Sequence, residues 1–438
     1  MPSDSRTPMT PVVVVLLLSL LLGLQPLTTD LYLPALPALT GYFDAPMHQA
    51  QLTLSALLLA FGVSQLFWGP LSDRFGRRPI LLAGLALYAL ASLGSVFAAS
   101  MEQLLLWRVL QGAAMGAAVM CARAIVRDLY HPAEGARMMS KGLTGLGVLA
   151  CISAPLGALL SDWMGWRAAL GVLALFGAAA LALVLLRFQE SLARPNPLAL
   201  RPHEMARTWA LILRHPTFWA YALLVTTSYA GLFTFLASSS FVFINALGLS
   251  KTQYGLLMFS MSAVYILGTL LCRRLLLRFG VRRTVAIAGA LTLLGGSLVG
   301  VLGWLGWHNV WAIMLPYYLF ILAHGIHQPC GQSGAVAPFP QAAGTASALS
   351  GFLMMSVAFA VGWWLAAQLP VGLEGASVLP LTQGLWFWSV LISAVAWTLV
   401  QRYGEVQGTL APAATPATGA ANRAGRAKPQ TPVGRPKP

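Results

Sequence analysis

Gly69-Pro-Leu-Ser-Asp73-Arg74-Phe75-Gly76-Arg77-Arg78 follows one long apolar stretch and precedes another. A shorter echo, Arg278-Phe279-Gly280-Val281-Arg282, stands in register 204 residues later, with Leu277 where the first copy has Asp73. A charged, glycine-containing turn between two apolar runs reads as a short loop joining two membrane helices. Its return after the second apolar run of each half of the chain reads as parallel repeats related by an axis along the membrane normal. In folds of that kind, ligand and ion sites lie between the repeats, near mid-depth.

Working outward from the loop, the rest of the chain has the composition that a lipid environment favours. Of its 438 residues, 58% are hydrophobic and 9% charged, against roughly 25% charged in an average soluble domain. Apolar stretches long enough to span predict helices at about 11–33, 51–70, 80–99, 103–125, 139–161 and 167–187, then at 217–243, 252–272, 283–304, 309–331, 343–368 and 383–401. The expected fold is therefore an all-α membrane protein of twelve transmembrane helices in two six-helix bundles, residues 1–187 and 217–402. A polar linker at 188–216, with room for a short surface helix, joins the bundles. A basic tail, 403–438, is rich in Ala, Pro and Thr, which predicts disorder.

The net charge is +15, and its location decides its meaning. With the N-terminus in the cytoplasm, the segments 71–79, 126–138, 188–216, 273–282 and the tail beyond 402 share that side and hold nearly all the Arg and Lys. The opposite side has only Arg167 and Lys251, with Asp44, Glu102, Asp162 and Glu374. This is the positive-inside pattern. It accounts for the basicity as topology rather than nucleic-acid binding, and it places both termini in the cytoplasm. The first apolar run lacks a small-residue cleavage site and is read as helix one, not as a signal peptide. Cys121, Cys151, Cys272 and Cys330 all fall within predicted helices, as reduced thiols without a disulfide framework. There is no phosphate-binding GK[ST] loop, metal cluster or nucleophile–base arrangement, so neither an enzyme nor an ATP-driven pump is expected, and no cofactor.

Charges inside the spans carry the chemistry, because a charge in hydrocarbon costs at least about 2.5 kcal/mol unless it is paired or wet. Asp30 and Arg108 are each placed a few residues from the same end of their helices, at similar depth, where a direct or water-linked contact would offset desolvation. A coupling pair and a static structural ion pair both fit that placement. His324 and His327 share a helical face and titrate near neutrality, which suits a proton or ligand role as well as simple packing. Tyr32, Gln111, Tyr229, Phe233, Phe235 and Gln328 are candidates to line a cavity for an amphipathic ligand, although aromatics at this spacing also serve as packing.

The Gly69–Arg78 loop resembles the signature loop of the major facilitator superfamily, and Arg108-Val-Leu-Gln111-Gly112 with Gly116 resembles the helix-four signature of its drug/proton antiporters. Thr29-Asp30-Leu-Tyr32-Leu-Pro34-Ala-Leu-Pro37, Ala122-Arg123-Ala-Ile-Val-Arg127-Asp128 and Ala343-Gly344-Thr345-Ala346-Ser347-Ala348-Leu349 resemble the bicyclomycin/chloramphenicol-resistance (Bcr/CflA) branch. The resemblance covers all twelve helices. It implies a monomeric secondary transporter of the bacterial inner membrane that exports small amphipathic molecules or drugs, driven by the proton gradient. Asp30 and Arg108 would serve proton coupling. Gly69, Asp73, Arg74, Gly76, Arg77, Arg78 and Asp128 would form a gating loop, with Arg77 paired to Asp128 and Asp73 close to the start of helix eleven at Gly344-Thr345. One departure stands out: the antiporter pattern Gly-Pro-x-x-Gly-Gly appears here as Ala154-Pro155-Leu156-Gly157-Ala158-Leu159, with the proline and one nearby glycine kept. An uptake symporter of the same fold and a membrane sensor that no longer transports remain as alternatives.

Overall fold

The computed structural model describes residues 10–404 apart from 131, 193, 194, 196, 198 and 369–376. The helices are α1 (Pro11–Asp30), α2 (Leu36–Phe43), α3 (Met47–Phe75), α4 (Arg77–Val96), α5 (Met101–Leu129), α6 (Pro132–Trp163), α7 (Trp166–Arg187), α8 (Pro202–Leu213), α9 (Pro216–Ser240), α10 (Lys251–Trp304), α11 (Val310–Val336), α12 (Ala343–Gln368), α13 (Leu379–Trp397) and α14 (Leu399–Tyr403). No strand occurs among the described residues. In lipid each backbone N–H and C=O needs an internal partner, and the helix supplies one within a single segment. Eleven of these helical stretches are long and apolar enough to cross a membrane, and α10, at 54 residues, is long enough to cross twice. Its two crossings meet at Gly280, the one residue inside α10 with non-helical torsions, so the fold has twelve crossings.

Three elements differ from expectation. The first span runs from Pro11 to Phe43 rather than ending near 33, and it is broken partway. Pro34 and Pro37 have no N–H, so the carbonyls of Asp30 and Leu33 lose their helical donors, and the chain passes through a 3₁₀ turn, Leu33–Ala35, before α2. The expected loop at 273–282 is instead helical, with a single kink at Gly280. The linker does carry a surface helix, α8, which docks through the fully buried Ile212. The basic tail from 405 onward lies outside the described residues.

Within the first half, α1 packs on α6, α3 on α5, and α4 on α5 and α7; within the second, α9 packs on α11 and α13, and the two arms of α10 on α11 and α13. The halves meet along two seams, α3 against α12 and α6 against α10. Small residues permit that approach: a Cβ on Gly62 would meet the Met355 side chain, and one on Gly255 would lie 2.9 Å from Ala158 and 3.1 Å from Pro155. The repeat also appears in the backbone. Gly76 (φ 101°) and Gly280 (φ 71°) both take a left-handed torsion at matched positions. Two residues beyond each glycine, an arginine reaches carbonyls at the end of its own half's last span: Arg78 to Phe188 and Leu185, and Arg282 to Gln401.

Candidate functional site

The break after α1 sets the position of Asp30. Because the span continues to Phe43, Asp30 lies some thirteen residues, about 20 Å of helical rise, from that end, much deeper than expected. Its carboxylate accepts a hydrogen bond from Thr29 Oγ1 at 2.8 Å, and the side chain is only half-buried. Tyr229 on α9 and Tyr254 on α10, both from the second half, lie within electrostatic reach of it, and Tyr229 also sits beside Gln25, one turn earlier in α1. The 3₁₀ turn just after Asp30 packs against α9 and α10 of the second half, so Asp30 lies beside the interface between the repeats.

Arg108 has a different environment. It is fully buried, with Nη1 donating to Gln111 Oε1 at 2.6 Å and Nη2 to the Thr28 carbonyl at 3.2 Å, and its guanidinium lies 4.2 Å from the centre of the Tyr32 ring. Gln111 in turn donates to Ser92 Oγ at 2.6 Å, Tyr88 and Thr28 share a 2.6 Å hydrogen bond, and Tyr32 shares one of 2.8 Å with Thr53. Among the described residues no ion pair joins Arg108 to an acid. Of the direct or water-linked contact expected with Asp30, the direct form is absent from this conformation, for a geometric reason. Tyr32, on which the guanidinium stacks, and Asp30 point about 200° apart around a helix, so Arg108 lies on the side of the chain away from Asp30. A cation over an aromatic ring in a dry site is stabilised by about 2 kcal/mol, which partly replaces the missing carboxylate. In this conformation Tyr32 and Gln111 are tied into this network.

At the end of the bundle nearer the linker, the signature loop forms a charged cluster. Arg77 is 2% exposed, with Nη1 2.7 Å from Asp73 and Nε 2.8 Å from Asp128, and it also donates to Ser72 Oγ at 2.6 Å. Arg127 lies 4.0 Å from both Asp73 and Asp128. Asp73 is thus held by arginines of its own half. Arg127 lies beside the first turn of α12, its Nη1 3.7 Å from where a Gly344 Cβ would stand. Across the halves Arg123 Nη1 donates to Ser347 Oγ at 2.6 Å. Arg74 lies over the Phe75 ring, and Gly69 packs close to Met120.

The remaining candidates separate by environment. His324 hydrogen-bonds Ser228 at 2.8 Å and lies near Tyr265, inside the second half. His327 is fully buried against the Val285 carbonyl, with no well-formed hydrogen bond at either ring nitrogen. No group of three metal-binding side chains occurs among the described residues. Phe235 stacks on Tyr317 at 4.0 Å and packs within its own half. Phe233 and Tyr229 stack on each other, and Phe233 also approaches Gly362 of α12. Gln328 contacts Met354 and accepts from Gln332 at 3.0 Å.

The helix order, the paired halves and the charged loop together specify a family. The sequence profile of the Major Facilitator Superfamily matches residues 18–363. The chain belongs to the major facilitator superfamily. It is 31% identical to Multidrug resistance protein D of Escherichia coli K12 over 84% of this chain and 91% of that protein. It is 30% identical to the Bicyclomycin resistance protein homolog of Haemophilus influenzae over 80% and 86%, and 28% identical to the Chloramphenicol resistance protein of Pseudomonas aeruginosa over 78% and 82%. These relatives match the Bcr/CflA branch of the superfamily. The crystal structure of a D-xylose-proton symporter superposes with a TM-score of 0.70 at 15% identity, over 89% of this chain and 97% of that one, which places the fold.

On this major facilitator scaffold, two contacts near the candidate residues were not anticipated from the sequence, those of Glu190 and Gln25. Glu190, in the first residues of the linker, accepts the backbone N–H groups of Arg77 (2.9 Å) and Arg78 (3.0 Å) and so caps α4 from 113 positions away. Ser191 beside it donates to Asp128 at 3.3 Å. Nothing local to Glu190 announces that contact. Gln25 did carry a signal, as a large polar side chain within the apolar run of α1.

Proposed function

We propose that the protein exports small amphipathic molecules in exchange for protons by alternating access, with Asp30 as the coupling carboxylate. The observation that carries this reading is the position of Asp30. It is half-buried at a helix break inside a membrane span, and the turn that follows it packs against α9 and α10 of the opposite half. The other acids of the described spans lie at or near the ends of their spans, whereas Asp30 lies some thirteen residues inside the end of its own. A carboxylate that meets both aqueous sides in turn can load a proton on one and release it on the other. The names of the relatives, which refer to resistance to drugs, bicyclomycin and chloramphenicol, support export and a small-molecule cargo. The orientation that goes with this function has both termini in the cytoplasm of a bacterial inner-membrane protein, on the arginine distribution. The Asp73–Arg77–Asp128 cluster then serves the cytoplasmic gate.

The test is transport into proteoliposomes across a panel of amphipathic compounds. An antiporter accumulates its substrate when the lumen is acid, because protons leave as substrate enters. A symporter accumulates it when the outside is acid. Accumulation into acid-lumen vesicles that is lost in Asp30→Asn, with downhill exchange retained, is the expected result. Uphill transport at wild-type rates in that variant would move coupling elsewhere, with His324 and His327 next in line.

A further inference from the structure

Ion pairs between described residues fall into two groups. Four are made within the first half, among Asp73, Arg77, Arg127 and Asp128. The fifth, Lys251 to Asp162 at 3.4 Å, joins the two halves. Asp162 stands in the last turn of α6, and Lys251 is the first residue of α10, so the pair closes the end of the α6/α10 seam on the face opposite the linker. Two further bonds knit the same place: Lys251 Nζ donates to the Ser161 carbonyl at 3.2 Å, and Thr252 Oγ1 donates to Asp162 Oδ2 at 2.9 Å. The acid also sits at the N-terminal turn of α10, where negative charge is favoured by the exposed backbone N–H groups. One turn further in, Gly255 lies directly against Ala158 and Pro155, so the ion pair caps a stretch where the two helices are in close contact. On the same face Gln51 Nε2 of α3 donates to the Ala237 carbonyl of α9 at 3.1 Å, a further bond between the halves at a second seam.

We infer that Asp162 and Lys251, with Thr252, are the latch that holds this face of the transporter shut and sets how often it opens. Lys251 is one of few cations on a face otherwise almost free of them, and it is committed to the opposite half rather than to its own. The strength of the pair fits the task. Lys251 and Asp162 are 26% and 30% exposed, and ion pairs in contact with solvent change an equilibrium constant by up to about fivefold. A latch of that size biases the closed state and still yields on every cycle, whereas a buried pair would resist opening. The conclusion depends on alternating access by two rigid halves and is independent of which residue carries the proton.

The experiment uses the full chain in nanodiscs, Cys-depleted, with spin labels at Phe97 and Trp307, which are 72% and 61% exposed and belong to different halves. Asp162→Lys, which places two cations together, is expected to raise the population of the longer inter-label distance by about two- to fivefold or more. Asp162→Asn, the milder change, should move it the same way by a smaller factor. The exchange variant Asp162→Lys/Lys251→Asp should return the distribution towards that of the wild type. Raising salt to about 1 M, where screening extends over only about 3 Å, should shift the wild type towards the open state and leave Asp162→Asn unchanged. An unaltered distribution in both single variants overturns the latch. A shift that the exchange variant does not reverse also overturns it, because the effect would then be local disruption rather than the charge pair.

Discussion

At the scale of single residues, Asp30 and Arg108 show how the same type of problem, a charge in the membrane interior, is solved in two ways. Arg108 is immobilised by Gln111, Thr28 and Tyr32, whereas Asp30 keeps partial exposure and a single hydroxyl donor. Arg108→Lys keeps the charge but loses the planar fork that reaches two acceptors and stacks on a ring. Losing one hydrogen bond to a charged group costs about 1.5–3 kcal/mol, so this variant should unfold at a lower temperature in detergent than the wild type, by differential scanning fluorimetry. An unchanged midpoint would show that the network contributes nothing. Packing gives a second test. A Cβ on Gly112 would overlap the Leu57 carbonyl, whereas one on Gly147 meets nothing within 4 Å. Gly112→Ala should destabilise by about 1–3 kcal/mol, with Gly147→Ala neutral in the same assay.

At the scale of elements, the start of α4 and the end of α7 exchange caps. Glu190 satisfies the first N–H groups of α4, and Arg78 satisfies the last carbonyls around α7. The linker is therefore tied to the signature loop, and loosening one should loosen the other. Removing a cap costs about 0.5–2 kcal/mol. Glu190→Ala should show that loss in thermal unfolding, with Glu190→Gln intermediate because its amide oxygen still accepts. The repeated glycines offer a sharper comparison. A side chain at Gly76 would meet Glu190 at 2.5 Å, whereas one at Gly280 has open space, although both torsions are left-handed. Gly76→Ala should therefore impair stability more than Gly280→Ala, and equal losses would show that backbone torsion alone governs both sites. In the same cluster, Asp73→Asn removes the charge that Arg77 and Arg127 share. It should slow turnover more than it weakens ligand binding, which a comparison of transport rate with equilibrium binding would reveal.

At the scale of the whole molecule, the proposed function rests on two halves that rock about a shared interface. The proposed orientation has a direct check. Cysteines placed at 205 and 420 in a Cys-depleted background should resist a membrane-impermeant reagent added from the periplasmic side, and labelling at either position would reverse the topology. The twelve crossings and the matched glycines Gly76 and Gly280 were legible because they depend on hydropathy and on local glycine and charge patterns. The long kinked α10 was not, because a charged segment at 273–282 looks like a loop until helix is seen to run through it.

The composition and the placement of arginines determine that this chain spans a membrane, since lipid leaves few alternatives for so apolar a sequence. The motif residues likewise identify Asp30, Arg108 and the Asp73–Arg78 loop as the charges of interest. Only the tertiary structure decides what each of them touches. Pro34 and Pro37 lie beside Asp30 in sequence, but how deep the acid sits depends on how far the span continues past the break they cause. Glu190 reaches Arg77 and Arg78 across 113 and 112 positions, and Lys251 is 89 positions from Asp162. Such pairings arise from helix packing, which brings distant segments to one depth and one face, and no local pattern in the chain records that geometry.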